Sequence, residues 1–178
     1  MNSGVFLDRD GVINEIILRE RRPYSPREIN QLKILDGVSD AVKLLQNLGH
    51  KIVVITNQPE ISRGLITEDL IMEMHNKISQ ETGIKSFYFC RHDDFHDCEC
   101  RKPKTGMLLR AAIEQDLDLN QSYLVGDRWK DIQAGQKVGC KCYFIDNNYD
   151  EPRPISPFHP VKSLYEAAIL IRESRSTN

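Results

Sequence analysis

The sequence lacks an excess of charge of either sign. Its 24 lysine and arginine residues nearly balance its 26 aspartate and glutamate residues, which leaves a formal net charge of −2 at pH 7. Without a global basic field, general attraction to nucleic acid or to an anionic membrane is not expected. Aromatic residues are sparse too, at 7% of the chain, and no stripe of aromatic and basic residues marks a nucleic-acid groove. We therefore expect neither nucleic acid nor a membrane as a partner.

Long hydrophobic runs are also absent. No stretch approaches the ~18 consecutive apolar residues of a membrane-spanning helix, and the first residues lack the charged and then apolar pattern of a secretory signal. With no internal repeats, residues 1–178 are predicted to form one domain. We expect a cytoplasmic monomer, with residues 174–178 as a disordered tail.

An even set of cysteines, which a disulfide framework requires, is missing as well. The five cysteines fall into two groups, one with Cys90, Cys98 and Cys100 and one with Cys140 and Cys142. An odd number in such clusters suits a reducing compartment and metal binding better than disulfide pairing.

Near its start the sequence does contain a short buried-strand pattern followed by two carboxylates. The run from Gly4 to Leu7 is apolar and β-prone, and Asp8 and Asp10 follow it. On an extended backbone residues two apart point to the same side, so both carboxylates would face one small volume. A divalent cation or a shared proton must then compensate the repulsion, and Mg²⁺ would in turn bind phosphate. From this stretch alone, a solvated turn stays an equal alternative.

Strand and helix patterns alternate along the rest of the chain. Residues 12–34 predict a hairpin-like flap after the first strand, and residues 146–160 predict a loop because they hold four prolines and little periodicity. Asp36 is expected to cap the first helix. The strands are predicted at these positions: 4–7, 51–55, 86–89, 122–125 and 140–145. Such alternation predicts an α/β fold, a Rossmann-like three-layer domain with a central parallel sheet and no insertion long enough for a large cap.

Four polar residues fall directly after predicted parallel strands. These are Asp8, Asp10, Thr56 and Asp127. Because ligands of open parallel sheets bind beyond the carboxyl ends of the strands, we expect these side chains to converge on one site.

Those residues, with Lys102, resemble the haloacid dehalogenase superfamily of aspartate-dependent phosphatases. Four motifs carry the resemblance, in the family's order: Asp8-Arg-Asp10-Gly, Thr56-Asn57-Gln58, Lys102, and Gly126-Asp127-x3-Asp131. The resemblance implies that Asp8 attacks phosphorus and that Asp10 acts as general acid and then base. It implies a catalytic Mg²⁺ held by Asp8, the Asp10 carbonyl and Asp127, with Asp131 in support.

The same resemblance assigns the phosphate-binding residues. Thr56 would offer a hydroxyl and an N–H to the transferring phosphoryl group, and Lys102 a positive charge against its oxygens. Asn57 and Gln58 belong to the same motif and are expected to bind phosphate or substrate.

A cysteine-rich loop at residues 90–104 adds a second candidate metal site. Cys90, His92, Cys98 and Cys100 supply three thiols and one imidazole, the ligand set of a closed tetrahedral Zn²⁺ site of structural type. His96 could replace His92, Cys140 and Cys142 could pair with Cys98 and Cys100, or the thiols could be free. Because Cys140 and Cys142 lie on a predicted strand, we interpret them as small core residues.

The zinc loop narrows the resemblance to the D-glycero-D-manno-heptose-1,7-bisphosphate 7-phosphatase family. Histidinol-phosphate phosphatases share this loop, and polynucleotide 3′-phosphatases resemble the Thr56 segment, so both stay alternatives. The resemblance implies a small phosphorylated sugar as substrate, with Arg101 recognising a second phosphate and Arg128 contacting substrate as well. Pro59 and Glu60 depart from the family pattern and leave the substrate open. A binding module that has lost catalysis would lack an essential carboxylate, whereas Asp8, Asp10 and Asp127 are all present.

Overall fold

A computed structural model describes residues 2–176, and its main sheet confirms the predicted α/β architecture. Within those residues there are eight strands: β1 (Gly4–Leu7), β2 (Ile17–Arg19), β3 (Arg22–Tyr24), β4 (Lys51–Asn57), β5 (Ser86–Cys90), β6 (Tyr123–Gly126), β7 (Lys141–Ile145) and β8 (His159–Val161). The main sheet has the order β5-β4-β1-β6-β7-β8, and each neighbouring pair in it is parallel. Strands β4, β1 and β6 are therefore adjacent, so the residues that follow them meet.

Helices cover both faces of the sheet. The described residues form five α-helices: α1 (Val38–Asn47), α2 (Glu68–Thr82), α3 (Gly106–Gln115), α4 (Trp129–Lys137) and α5 (Leu164–Ser176). Val5 and Leu7 of β1 pack in one core with residues of α1, α2 and α5, whereas Phe6 packs in a second core with residues of α3 and α4. This alternation explains why β1 is buried along its whole length. No helix in the described part of the chain is long and apolar enough to cross a bilayer.

Three details differ from the sequence predictions. The segment predicted as loop at 146–160 ends in strand β8, which is too short and too exposed at His159 and Pro160 to show a period. Asp36 does not cap α1, because Gly37, in the left-handed region at φ 77°, precedes the first turn and no side chain caps it. Helix α5 continues to Ser176, so residues 174–176 are helical, while 177 and 178 lie outside the described residues.

The predicted flap is a two-stranded hairpin. Strands β2 and β3 pair antiparallel, with Ile17 opposite Tyr24 and Arg19 opposite Arg22. Glu20 and Arg21 form the turn with φ of 50° and 61°, as a two-residue hairpin of right-handed twist requires. The strand that returns brings Tyr24 back to the carboxyl edge of the main sheet, where it lines a cavity.

Candidate active site

Three buried carboxylates meet at the carboxyl edge of the main sheet. Asp8 follows β1, Asp127 follows β6, and Asp131 lies in the first turn of α4. One oxygen of each carboxylate lies within 4.8 Å of the others. The structure thus brings Asp8 and Asp127 together as predicted. It also places Asp131, which was expected only to support the site, within the same 4.8 Å of Asp8 and Asp127.

A buried lysine lies among these carboxylates. The Nζ atom of Lys102 is 2.8 Å from Oδ1 of Asp8 and 2.7 Å from Oδ1 of Asp131, and it donates to the Ile55 carbonyl at 2.7 Å. The side chain of Asn57 exchanges two hydrogen bonds with the Lys102 backbone, of 3.0 and 3.1 Å. Asn57 thus positions Lys102, and it also lines the cavity, so its predicted contact with phosphate or substrate stays a prediction.

The carboxylate cluster carries more negative charge than Lys102 can balance. Burial and the charge of Asp131 raise the pKa of Asp8 to about 6, against the opposing effect of Lys102. Burial and the charges of Asp8 and Asp131 hold the pKa of Asp127 well above its usual value. Burial tends to lower the pKa of Lys102, but Asp131 and Asp8 outweigh it and the pKa is raised. A second positive charge would therefore relieve the cluster.

The donor set fits a hard divalent cation. Oδ1 of Asp127 is buried and has no hydrogen-bond partner, whereas carboxylate oxygens of this kind are the ligands that Mg²⁺ prefers. Gly11 keeps the adjacent backbone close, since a Cβ atom at that position would lie 1.9 Å from Oδ2 of Asp127. Residues 8, 127 and 131 thus form an oxygen site with one unpaired buried ligand atom.

The Asp10 carboxylate is held by a separate set of donors. Arg9, fully buried, donates to both oxygens of Asp10 through Nη2, at 2.9 and 3.0 Å. Asn14, Ser25 and Gln58 add hydrogen bonds of 2.9, 2.8 and 2.9 Å. Burial alone would raise the pKa of Asp10, but the charge of Arg9 and these hydrogen bonds outweigh it and leave the pKa below its usual value. The sequence predictions did not include Arg9, Asn14 or Ser25.

Gln58 and Glu60 lie beneath the cavity rather than in its wall. Gln58 is fully buried and donates to the Thr56 hydroxyl at 2.8 Å as well as to Asp10. It therefore contacts two residues of the site, and its predicted contact with phosphate or substrate stays a prediction. Glu60, one of the two departures from the family pattern, is buried too and is not among the residues that line the cavity. Thr56 lines the cavity as predicted.

Three cations lie at or near the mouth of the cavity, each paired with a carboxylate of the chain. Arg128 lines the cavity and donates from Nε to Glu151 at 2.9 Å. Lys130, which the sequence predictions did not include, also lines it and lies 3.3 Å from Asp94. Arg101 contacts the same Asp94 at 2.7 Å but does not line the cavity. Its predicted contact with a second phosphate stays a prediction.

The predicted zinc ligands converge beside this site. The ligand atoms of Cys90, His92, Cys98 and Cys100 all lie within 4.8 Å of one another, and Sγ of Cys90 is 3.1 Å from Sγ of Cys100. His96 stands outside the cluster and accepts a hydrogen bond from the Asp93 backbone.

The two cysteines that the sequence left open as alternative partners lie outside this cluster in the described residues. Cys140 and Cys142 are buried in the core that contains residues of α3 and α4, as predicted, and they are not members of the cluster of ligand atoms. Asp93 ties the loop to the segment after β4 by accepting a 2.8 Å bond from Nη2 of Arg63. Asp94 ties the loop to α4 through Lys130.

Comparisons with known proteins agree with this geometry. Residues 4–139 match the family model of haloacid dehalogenase-like hydrolases. The chain is 37% identical over 153 residues to the D-glycero-beta-D-manno-heptose-1,7-bisphosphate 7-phosphatase of Haemophilus influenzae, a match that covers 79% of this chain and 78% of that protein. It is 36% identical over 159 residues to the protein of the same name from Helicobacter pylori, with 85% and 88% covered.

A solved structure extends the likeness over nearly the whole chain. The D,D-heptose 1,7-bisphosphate phosphatase of B. bronchiseptica, solved with magnesium and phosphate, superposes with a TM-score of 0.81 at 25% identity and covers 97% of this chain and 99% of its own. The family match spans well over half of the chain, and the curated relatives exceed 30% identity over more than two thirds of it. This chain therefore belongs to the haloacid dehalogenase-like hydrolase family, and its enzyme class is that of the phosphoric monoester hydrolases.

Proposed function

We propose that the protein is a Mg²⁺-dependent phosphatase that removes the 7-phosphate of D-glycero-D-manno-heptose 1,7-bisphosphate through an aspartyl-phosphate at Asp8. The observation that carries the proposal is the convergence of Asp8, Asp127, Asp131 and Lys102 on one cavity at the carboxyl edge of the sheet. The names of the relatives support the substrate.

In this proposal Asp8 is the nucleophile. One of its carboxylate oxygens forms a bond to phosphorus while the bond from phosphorus to the ester oxygen breaks. The ammonium of Lys102, already 2.8 Å from Asp8, lies where it can balance the charge on the transferring phosphoryl oxygens. Asp8, the Asp10 carbonyl and Asp127 would hold Mg²⁺. When bound there, Mg²⁺ supplies charge that neutralises both the carboxylates and the phosphate.

In the same proposal Asp10 is the general acid and then the general base. It donates a proton to the departing alkoxide, and it then removes one from the water that attacks the aspartyl-phosphate, which releases phosphate and restores Asp8. Without substrate its pKa is held below the usual value, which keeps the carboxyl ionised, as a base must be. For the first step it must take up a proton, and a dianionic phosphate nearby raises the pKa of a carboxyl by like-charge repulsion.

The cations at the cavity mouth support a substrate with a second phosphate. Arg128 and Lys130 line the wall, and Arg101 joins them through Asp94. Their partners Glu151 and Asp94 are carboxylates, so a second phosphate would compete for donors that already hold anions. The guanidinium of Arg128 offers the fork geometry that a fixed phosphate needs.

Steady-state kinetics with several phosphoesters tests this assignment of the substrate. We expect kcat/KM for the heptose bisphosphate to exceed that for heptose 7-phosphate by about 10- to 100-fold, because charged hydrogen bonds to the second phosphate are worth roughly 1.5–3 kcal/mol. Histidinol phosphate and a 3′-phosphorylated oligonucleotide should be poorer still. Arg128→Met should lower kcat/KM for the bisphosphate and leave that for the 7-phosphate nearly unchanged. Equal kcat/KM values for the bisphosphate and histidinol phosphate would contradict the assignment.

We further propose that Cys90, His92, Cys98 and Cys100 bind a structural Zn²⁺. Three thiolates and one imidazole complete a tetrahedron and leave no open position, so the ion would fix the loop and not take part in the reaction. Because Cys100 is two residues before Lys102, the ion would also fix the backbone that presents Lys102 to Asp8.

Metal analysis and hydrogen exchange test the zinc site. Protein purified without chelator should contain about one zinc per chain, and removal of the zinc should speed amide exchange in residues 90–104 before it does so in the core strands. Cys98→Ser should lose the zinc, whereas Cys140→Ser, a matched change at a buried core thiol, should keep it. Protein free of zinc with unchanged exchange in this loop would contradict the proposal.

A further inference from the structure

The loop at residues 146–151, between β7 and β8, reaches across to the Asp127 carboxylate. The Asn147 amide donates to Oδ2 of Asp127 at 3.2 Å and to the Gly11 carbonyl at 3.3 Å. The Tyr149 hydroxyl donates to the same Oδ2 and accepts a 3.0 Å hydrogen bond from Asn147. The two amide hydrogens of Asn147 are shared among these three acceptors. Oδ2 of Asp127 therefore has two donors within hydrogen-bond distance, whereas Oδ1 is buried and has no hydrogen-bond partner.

We propose that Tyr149 and Asn147 are positioning residues that fix the Asp127 carboxylate so that Oδ1 alone faces the metal. Rotating the carboxylate would break two hydrogen bonds in a buried setting, and such partners hold a ligand in its binding orientation. Gly11 makes room for the arrangement, since a Cβ there would lie 2.7 Å from the Tyr149 hydroxyl as well as 1.9 Å from Asp127. The inference rests on the proposed role of Asp127 as a metal ligand.

The same loop also holds the tip of the flap. The Arg21 guanidinium donates twice to the Asn148 carbonyl, at 3.2 Å from both Nε and Nη2, and the Arg21 carbonyl accepts from the Asp150 N–H at 3.0 Å. The flap carries Tyr24, which lines the active-site cavity. Residues 146–151 therefore act as a brace between the flap and the metal ligand, and release of the flap tip should weaken metal binding through this brace.

Mg²⁺ titration of the full-length, zinc-loaded protein by calorimetry tests the positioning role. We expect Tyr149→Phe to raise the Kd for Mg²⁺ about 10- to 100-fold, the effect typical of losing a partner that orients a ligand. Asn147→Ala should raise it in the same direction and serves as a second variant if Tyr149→Phe folds poorly. The matched control is Tyr88→Phe, which removes a 2.7 Å hydrogen bond to the Glu114 carboxylate away from the site and should leave the Kd unchanged.

A second pair of variants tests the brace. Arg21→Ala should raise the Kd for Mg²⁺ several-fold, whereas Arg22→Ala removes the same charge from the same hairpin without a contact to the loop and should leave the Kd unchanged. If the two variants change the Kd for Mg²⁺ equally, net charge controls Mg²⁺ affinity and the contact between Arg21 and residues 146–151 does not. That result would overturn the coupling to the flap.

Asp127→Asn distinguishes a failure of the proposed metal site from a failure of the proposed positioning role. If Asp127→Asn binds Mg²⁺ as tightly as the parent protein, the proposed metal site itself fails. If Asp127→Asn loses Mg²⁺ while Tyr149→Phe and Asn147→Ala keep a Kd within about twofold of the parent, the metal site stands and the positioning role is overturned. A lower melting temperature in EDTA with an unchanged Kd would assign Tyr149 a purely structural role and overturn it equally.

Discussion

Asp8→Asn should lower kcat by at least about 10⁴-fold, a loss typical of enzymes whose catalytic nucleophile is removed. The amide cannot attack phosphorus, and no other described carboxylate lies as close to Lys102 except Asp131. The fold should persist, because the substitution conserves shape and removes one of three crowded buried charges. Lys102 keeps its contacts with Asp131 and the Ile55 carbonyl. Steady-state hydrolysis of the heptose bisphosphate, together with the melting temperature, checks both expectations.

The control for this variant is Asp36→Asn, the same chemical change at an exposed residue that does not cap α1. It should leave kcat and the melting temperature near those of the parent protein. A fall in kcat that accompanied a large fall in melting temperature for Asp8→Asn would point to damaged structure. Activity near that of the parent protein would contradict the covalent role.

Lys102→Met should lower kcat about 10²- to 10³-fold, as expected for loss of a group that stabilises charge in the transition state. It should also destabilise the Mg²⁺-free protein by about 3–5 kcal/mol, because it leaves buried carboxylates without their cation. Burial and Asp131 already raise the pKa of Asp8 to about 6, and loss of Lys102 would raise it further. For a carboxyl whose pKa is raised by folding, the penalty is present above the folded pKa and is relieved as pH falls through it.

Chemical denaturation of the zinc-loaded protein in Mg²⁺-free buffer without chelator, at pH 8 and at pH 5.5, checks this prediction. The loss of stability in Lys102→Met should be larger at pH 8, and Mg²⁺ should restore part of it. Lys104→Met is the matched control, since Lys104 forms its ion pairs with Asp97 and Glu99 on the surface. A destabilisation equal for both variants, or unaffected by pH and Mg²⁺, would contradict the account of the buried cluster.

The sheet and the strand-end residues could be predicted because each follows from a local pattern. Val5, Phe6 and Leu7 read as a buried strand in sequence and pack into two cores in the structure. Parallel strands then fix where Asp8 and Asp127 must lie. Strand β8 was predicted wrongly as loop, because three residues that include Pro160 are too few to show a period.

The rest of the site could not be predicted, because it depends on contacts between distant loops. Tyr149 contacts Asp127 from a segment that contains prolines and has no hydrophobic periodicity, so no local sequence pattern indicates that Tyr149 belongs to the site. Asp131 was expected as support because it lies one turn beyond Asp127. Its contact with Lys102 arises only when α4 and the cysteine loop are folded together. Gln58 and Asn57 belong to a recognisable motif, yet their orientation toward Asp10 and Lys102 depends on that same tertiary packing.

Chemical trapping of the intermediate tests the central proposal most directly. Asp10→Asn removes the base that breaks down the aspartyl-phosphate, and p-nitrophenyl phosphate, whose leaving group needs no general acid, can still form it, so the intermediate accumulates with this substrate. Borohydride reduction and peptide mass spectrometry then locate the modified residue. We predict conversion of residue 8 to homoserine, dependent on both substrate and Mg²⁺. A phosphorylated residue elsewhere, or phosphate release in a single turnover with residue 8 unmodified throughout, would contradict it.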